Sequence, residues 1–340
     1  MAVSPRDGQQ LTLSDIAALA GVSRSAASRA LDRQSPSGGP GAERVREVAQ
    51  RMGYVPNSWA ANLRRQRSGI IGVVVPRLTD TVMAMLYEAI VEECNSRSLH
   101  AEVITTGDDP RVALERGRSL LAQRIDGMIL TTARTDGADP LLTELQDLGM
   151  AYSLALRTDG RSSAAVIDDR VGGHAATAHL LERGHTRIAF VGGPSYASSS
   201  QQRELGFRDA MAEFGVDVAP ELIFESNFSM EAGGHVAQRL LSLATPPTAV
   251  FTANDSLAVG LIAVAQRTGV RVPADLSVVG YNDTPIAAHM AVPLTSVKVS
   301  FSDMAKNALD LLLSPPQKPE LRMTTPTLVA RESVATIATS

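Results

Sequence analysis

The sequence predicts a small all-α headpiece of the helix-turn-helix kind, followed by a larger α/β core of parallel sheets divided into two lobes. Three observations carry this. Two short helical patterns near the amino terminus meet at a single glycine, Gly21. From Ser68 onward, short β-rich runs recur with helical stretches between them. Charge divides at the same place. Residues 1–68 hold ten arginines and no lysine against five acidic residues, and the remainder holds 22 basic against 31 acidic residues. A head of net charge +5 on a body of net charge −9 suits a head that meets a polyanion and a body that does not.

Thr12-Leu-Ser-Asp15 opens the first helix. The Thr12 hydroxyl can accept from an orphan amide near Asp15, and the Asp15 carboxylate favours the positive end of the helix dipole. Ile16, Leu19 and Ala20 form one apolar side at helical spacing. Gly21 then breaks the helix at a turn of positive φ. Ser23 can cap a second helix, residues 24 to about 32, with Ala27, Ala30 and Leu31 inward. In such a unit the amino-terminal part of the second helix enters the DNA major groove. Arg24, Ser25 and Arg29 share its outward face, and an arginine that donates twice to guanine contributes about 1–3 kcal/mol of discrimination. A solvated helix pair in some other bundle is the bland alternative.

The run SPSGGPG at 35–41 reads as a flexible loop, and a third helix runs from about residue 42 to 52 with Val45, Val48 and Met52 inward and Gly53 as its stop. In YVPNSWAANLRRQRSG, Pro56 holds Val55 extended, and Asn57 can cap a short helix with Trp59 and Leu63 on one side. Arg64, Arg65 and Arg67 follow. A helix this short forms only when packed against something, such as a partner copy or a nucleic-acid groove. A basic, partly ordered linker is the alternative. The expected units are a headpiece over 1–55, a hinge and linker over 56–68, and a two-lobed core over 69–340.

The core runs are GIIGVVVP at 69–76, AEVITT at 101–106, DGMILTT at 126–132, AYSLAL at 151–156, AAVIDD at 164–169, RIAFVGG at 187–193, TAVFTAND at 248–255 and LSVVGYND at 276–283. Apolar strands alternating with helices make parallel sheets covered on both faces, and these are too many for one comfortable sheet, so two lobes are expected. Open α/β sheets bind ligands beyond the carboxyl ends of their strands, which places the ligand site in the cleft between the lobes.

Composition excludes other classes. The chain has 340 residues, 44% apolar and 20% charged, which suits a soluble globular protein without a membrane span. MAVSPRDGQQ lacks the pattern of a secretion signal, and the single cysteine, Cys94, permits no internal disulfide. Both fit a reducing cytoplasm. Cys94 lies in the helical pattern LYEAIVEEC and reads as core filler. No P-loop, no glycine-rich dinucleotide loop after a strand and no metal-ligand spacing among the six histidines is present, so no enzyme, cofactor or metal is expected. Asp168 and Asp169 read as caps at a strand end. SYASSS at 195–200 lacks a nucleophile elbow and reads as a cleft-lining or chain-turning segment. His185 suits a helix carboxyl end after Gly184.

Together these residues resemble the lactose-repressor-like (LacI/GalR) family of bacterial transcription regulators, from Thr12 to about Ser333. TLSDIAALAGVS and SRAL look like the family's helix-turn-helix, and GYVPNSWAANLRR looks like its third-helix end and hinge helix. ERGHTRIAFVGGP, PTAVFTAND, ADLSVVGYND and PLTSVKVSFSDMA look like its core motifs, and LVARES like its closing strand. The resemblance implies a periplasmic-binding-protein-like core and a cytoplasmic repressor whose operator affinity is set by a small molecule, a sugar or related polyol, bound between the lobes. It places Arg24, Ser25 and Arg29 at base-reading positions and Ser28 near the phosphates, with Thr12 and Ser23 in the same DNA-binding set. Asn57 and Ala60 fall on the hinge helix, and Leu63 holds the minor-groove wedge position. Two copies would insert side by side at the centre of a pseudo-palindromic operator.

In the core, the resemblance puts Arg203 on a ligand's hydroxyls from the first helix of the second lobe, Phe228 against an apolar sugar face, and Asn254 and Asn282 among the remaining polar contacts. An arginine fork, an aromatic platform and amides suit a polyol. Arg203 paired with an acidic neighbour, Phe228 as core and Asn254 as a helix cap are the alternatives. The chain departs from the family at Asp80-Thr81-Val82-Met83, where an asparagine-proline-aromatic-aromatic run is usual, so Asp80 marks an altered pocket wall. It departs again at Asn282-Asp283, where two acidic residues are frequent, and at Trp59, where a smaller aliphatic is usual. SPSGGPG implies a late start for the third helix. VATIATS after Ser333 holds no heptad repeat, so a homodimer through the core is the default assembly. A solute-binding receptor-like module without direct DNA regulation would share the core pattern, but not the basic head or the missing secretion signal.

Overall fold

The computed structural model describes residues 11–31, 38–54, 68–137 and 139–337. The headpiece contains α1 (Leu13–Leu19), α2 (Arg24–Ala30) and α3 (Pro40–Arg51). A reciprocal cap starts α1. The Asp15 amide donates to Thr12 Oγ1 at 3.3 Å, while the Asp15 carboxylate accepts from the Thr12 amide and hydroxyl at 2.8 and 2.6 Å. Those bonds hold the Asp15 carboxyl below its ordinary range. Gly21 makes the turn at φ +68°, and Ser23 Oγ accepts from the Ala26 amide at 3.2 Å to start α2.

The headpiece core is Ile16, Ala17, Ala20, Ala27, Ala30, Ala42, Val45, Val48 and Ala49. Alanines let the helices approach closely but bury little apolar area each. Two expectations are corrected here. Leu19 is 41% exposed, because the buried stripe runs through Ile16, Ala17 and Ala20 and Leu19 lies off it. The third helix starts early, not late, since Pro40 at its first position has the right φ and no amide to leave unsatisfied. Asn57, Trp59, Ala60 and Leu63 lie outside the described residues.

The first lobe carries β1 (Ile70–Val75), α4 (Thr81–Ser96), β2 (His100–Thr105), α5 (Pro110–Ala122), β3 (Gly127–Leu130), α6 (Pro140–Asp147), β4 (Tyr152–Ala155) and β5 (Ala164–Ile167). The second lobe carries α7 (Asp169–Leu181), β6 (Ile188–Val191), α8 (Ser198–Glu213), β7 (Ile223–Phe224), α9 (Met230–Leu241), β8 (Ala249–Thr252), α10 (Asp255–Arg267), β9 (Ser277–Asn282), α11 (Pro285–His289) and β10 (Thr295–Lys298). The chain then returns to the first lobe with α12 (Phe301–Leu313) and β11 (Leu321–Thr324), and ends its last strand in the second with β12 (Thr327–Val329).

The first sheet has the order β11-β5-β4-β3-β1-β2 and is parallel throughout. The second has the order β12-β10-β9-β8-β6-β7 and is parallel except for the antiparallel edge strand β12. The chain crosses between lobes three times, after β5, β10 and β11, always at the same edge of the two sheets. All eight apolar runs form strands, and all but the edge strand β2, which is only partly buried, are almost fully buried because helices cover both sheet faces. Four further strands, β7, β10, β11 and β12, carry no long apolar run. Cys94 is buried in the core of the first lobe. Among the described residues no helix is long and apolar enough to cross a membrane.

One buried histidine makes stability depend on pH. His179, on α7, is buried, accepts a hydrogen bond at Nδ1 from Arg183 at 3.0 Å, and has no partner for Nε2 among the described residues. Burial, then the Arg183 charge, push its pKa down to about 4. Below about pH 6.5 the unfolded chain takes up a proton that the folded chain refuses until about pH 4. Its contribution is therefore complete above pH 6.5 and is lost as pH falls toward 4. Urea unfolding followed by circular dichroism should show wild-type stability falling by up to about 3 kcal/mol more than that of His179→Gln across this window. Parallel pH profiles for the two proteins would remove the effect.

Candidate effector cleft and DNA-reading surface

The cleft between the lobes encloses about 490 Å³, open solvent included. Its wall is made at strand carboxyl ends. Pro76, Arg77 and Asp80 follow β1, Asp108 follows β2, Leu156 and Arg157 follow β4, Asn227 and Phe228 follow β7, Asn254 follows β8, and Asn282 ends β9. Arg203 reaches the cleft from α8. All five residues singled out in the sequence, Asp80, Arg203, Phe228, Asn254 and Asn282, line this one space.

Arg203 is 3% exposed and sits on α8, the second helix of its lobe rather than the first. Its Nε donates to Asp169 Oδ1 at 2.8 Å, one Nη donates to the Ala253 carbonyl, and the guanidinium lies 3.8 Å from the centroid of the Tyr281 ring. Burial disfavours its charge, and the Asp169 carboxylate outweighs that to hold the guanidinium protonated. The arginine is thus both ion-paired and cleft-lining. Its height is set by helix contact. A Cβ on Gly173 of α7 would fall 2.3 Å from the Arg203 carbonyl oxygen, so only glycine lets α7 and α8 approach this closely.

Asn254 is a helix cap and a brace together. Its Oδ1 accepts from the Leu257 amide at 2.8 Å, and its Nδ2 donates to the Phe228 carbonyl at 3.0 Å. Phe228 is half-buried, and a Cβ on Gly193 would lie 2.0 Å from its Cζ, so the tip of the ring sits against the Gly193 backbone and only glycine leaves it room. Asn282 is buried, and its Nδ2 has no hydrogen-bond partner among the described residues. A bare donor at a cleft wall suits a ligand oxygen. The turn after it is held by Asp255, which accepts from the Thr284 amide, the Thr284 hydroxyl and the Ser296 hydroxyl at 2.7, 2.8 and 2.6 Å. Burial raises the Asp255 pKa to about 6. Asp80 caps α4 through the Val82 amide at 3.0 Å, and burial raises its pKa.

Seven non-glycine residues among those described have positive φ, and Asp108, Leu156, Phe228 and Asn282 line the cleft. Left-handed backbone at side-chain-bearing residues costs free energy and concentrates at functional sites. Asp108 and Arg157 escaped the sequence reading, and Asp169 was read only as a cap. Asp108 and Arg157 stand just past strand ends, which was the available signal. Asp168 does cap α7 through the Val171 amide at 3.2 Å, but its neighbour Asp169 pairs with Arg203 instead of capping. Of the serine run, Ser199 lines the cleft and Ser200 Oγ accepts from the Gly193 amide at 2.8 Å. His185 bridges Thr248 and the Ala335 carbonyl at 2.9 and 3.1 Å. Among the described residues no cluster of three or more His, Cys, Asp or Glu is placed to hold a metal ion.

On the headpiece, Arg24, Ser25 and Arg29 are exposed, and Ser28 is half-buried beside them. At 3.6 residues per turn these four occupy about 140° of arc, opposite buried Ala27 and Ala30. The capping hydroxyls differ. Thr12 donates its proton to Asp15, whereas Ser23 accepts from Ala26 and lies 3.0 Å from Ser25 Oγ.

Compared with known proteins, residues 12–57 match the bacterial regulatory proteins of the lacI family, and residues 177–334 match the periplasmic binding protein-like domain. The HTH-type transcriptional repressor PurR of Vibrio cholerae serotype O1 (strain M66-2) is 30% identical over 309 residues, 89% of this chain and 90% of that protein. The lac repressor dimer bound to operator and the anti-inducer ONPF matches with a TM-score of 0.83 at 25% identity, over 96% of this chain and 100% of that one. A complex of the transcriptional regulator CelR with cellobiose matches with a TM-score of 0.72 at 28% identity, over 95% and 100%. A helix-turn-helix head on a two-lobed, periplasmic-binding-protein-like core defines a DNA-binding transcription regulator. This chain belongs to the lacI family of bacterial regulatory proteins.

Asn254 gives a direct test of how the cleft wall is held. Asn254→Ala removes the cap and the Phe228 brace, and should lower the unfolding free energy in urea by about 1–3 kcal/mol. Asn254→Ser keeps a cap acceptor but cannot reach Phe228, and should recover about 1 kcal/mol. Equal losses would show that the cap contributes nothing.

Proposed function

We propose that this protein is a cytoplasmic, homodimeric repressor whose affinity for a pseudo-palindromic operator is controlled by a sugar or related polyol in the interlobe cleft. The convergence of Asp80, Arg203, Phe228, Asn254 and Asn282 on one cleft, from strand ends and a helix of two lobes, carries this reading. Phe228 offers a ring face, Asn282 an unused buried donor, and Asp80 an acceptor, which together match alternating CH and OH surfaces of a neutral polyol. Recognition of cellobiose by CelR, and of operator DNA by the lac repressor dimer, supports the same assignment.

On DNA, Arg24, Ser25 and Arg29 read bases while Ser23 and Ser28 approach phosphates. The Thr12 hydroxyl is committed to Asp15, so its contribution is through the α1 cap. Asn57, Ala60 and Leu63 form the hinge element, with Leu63 as the wedge that bends the duplex. Ligand acts by favouring one lobe arrangement, and the coupling equals its affinity difference between the two arrangements.

Operator fragments selected from a random duplex library provide the DNA test. Affinity should fall steeply and linearly in log–log form with added salt, and Arg29→Ala should relax base preference rather than weaken all sequences alike. A flat salt response overturns the reading. For the cleft, a thermal-shift screen of sugars and polyols should give a ligand, with the shift lost in Phe228→Ala. Arg203→Ala is a poor probe, because it leaves the Asp169 carboxylate buried without its partner, at about 3–5 kcal/mol.

A further inference from the structure

The loop between β6 and α8 reaches out of the second lobe and grips the first. Tyr196, half-buried, is its centre. The Tyr196 hydroxyl donates to Asp108 Oδ2 at 2.9 Å. Its carbonyl accepts from the Thr135 amide at 3.0 Å and the Thr135 hydroxyl at 3.1 Å. Its ring lies 3.4 Å below the Arg134 guanidinium, a cation–π contact. Two more bonds flank it. Gln201 Nε2 donates to Thr135 Oγ1 at 2.9 Å, and the Thr158 amide donates to Ser198 Oγ at 2.8 Å. Asp108, Arg134, Thr135 and Thr158 belong to the first lobe; Tyr196, Ser198 and Gln201 belong to the second.

The position of these contacts gives them meaning. The three crossovers lie where β5 and β11 edge one sheet and β10 and β12 edge the other. The Tyr196–Asp108 bond lies past β2, the far edge strand of the first sheet, and past β6, next to the far edge of the second, whereas Thr135 follows the central strand β3 and Thr158 follows β4, nearer the hinge. The Tyr196–Asp108 bond therefore stands on the side of the cleft away from the hinge, where a contact has a long lever on opening, and the Thr135 and Thr158 bonds extend the grip back toward the hinge. The grip also shares a residue with the cleft wall. Asp108 accepts from Tyr196 and, through both oxygens at 3.1 Å, from Arg157, which is 3% exposed and lies 5.8 Å from the Phe228 ring centroid.

We propose that Tyr196 is a positioning residue for the effector cleft: a latch that fastens the two lobes across the cleft mouth and, through Asp108 and Arg157, ties that fastening to the cleft wall. Lobe closure is then supplied in part by the protein itself. A ligand that touches Asp108 or Arg157 acts on the latch and on the cleft at once. This inference rests on the proposed effector role of the cleft only for that last consequence; the latch itself is independent of what binds.

The Thr135 and Thr158 amides both donate across the lobes, so their hydrogen exchange reads the latch in full-length protein without DNA or sugar. Tyr196→Ala should speed exchange at both amides by about tenfold or more while the strand amides of both sheets keep wild-type rates. Tyr196→Phe, which keeps the ring over Arg134 but loses the bond to Asp108, should fall between. Unchanged exchange at Thr135 and Thr158 overturns the proposal. So does acceleration spread equally through both sheets, which would mark a structural residue and not a latch. Failure here leaves the sugar and operator assays standing, and failure there leaves this measurement standing.

Discussion

The second lobe's wall depends on one buried charge. Arg203 has left water almost completely, and a guanidinium in that position is tolerable only with a carboxylate, a carbonyl and a ring face around it. Asp169 supplies the carboxylate from the first turn of α7, where the helix dipole also favours a negative group. The Ala253 carbonyl supplies the second contact, one residue before Asn254. Asn254 in turn holds the Phe228 carbonyl. A single line of bonds thus runs from α7 through α8 to the end of β8 and on to the aromatic platform. The close contact of Gly173 with the Arg203 backbone keeps that line from sliding.

The first lobe meets this wall with a different device. Its loops place Asp108 and Leu156 in left-handed backbone, which the neighbouring bonds must hold. Asp108 is held within its own lobe by Arg157 and by Thr106 Oγ1, which accepts from its amide at 3.1 Å, and from the other lobe by Tyr196. The second lobe's side of the cleft is braced from within, and the first lobe's partly from across the gap.

Much of this architecture was legible in residues. The eight apolar runs, the glycine at the headpiece turn and the caps at Thr12 and Ser23 are local signals, and each formed as its chemistry requires. The five cleft residues came from resemblance to a family, and the structure brings them together. What stayed hidden depends on distant neighbours. Asp169 looked like a cap beside Asp168, and only the packing of α7 on α8 turns it toward Arg203. Tyr196 sat in a serine-rich loop with no pattern of its own, and its partners Asp108 and Thr135 lie 88 and 61 residues away. Leu19 was misjudged because a seven-residue helix offers too few turns to fix its buried stripe. Pro40 was overlooked as a helix start because it lay within a glycine-rich loop.

The strand order also constrains how this molecule is born. The first sheet's edge strand β11 comes from residues 321–324, and it pairs with β5, more than 150 residues earlier. α12, which covers β3, β4 and β5, begins only at Phe301. On the ribosome the first lobe must wait, with β3, β4 and β5 lacking α12 over one face, until the second has been synthesised almost entirely. Strictly lobe-by-lobe folding during translation is therefore closed to it.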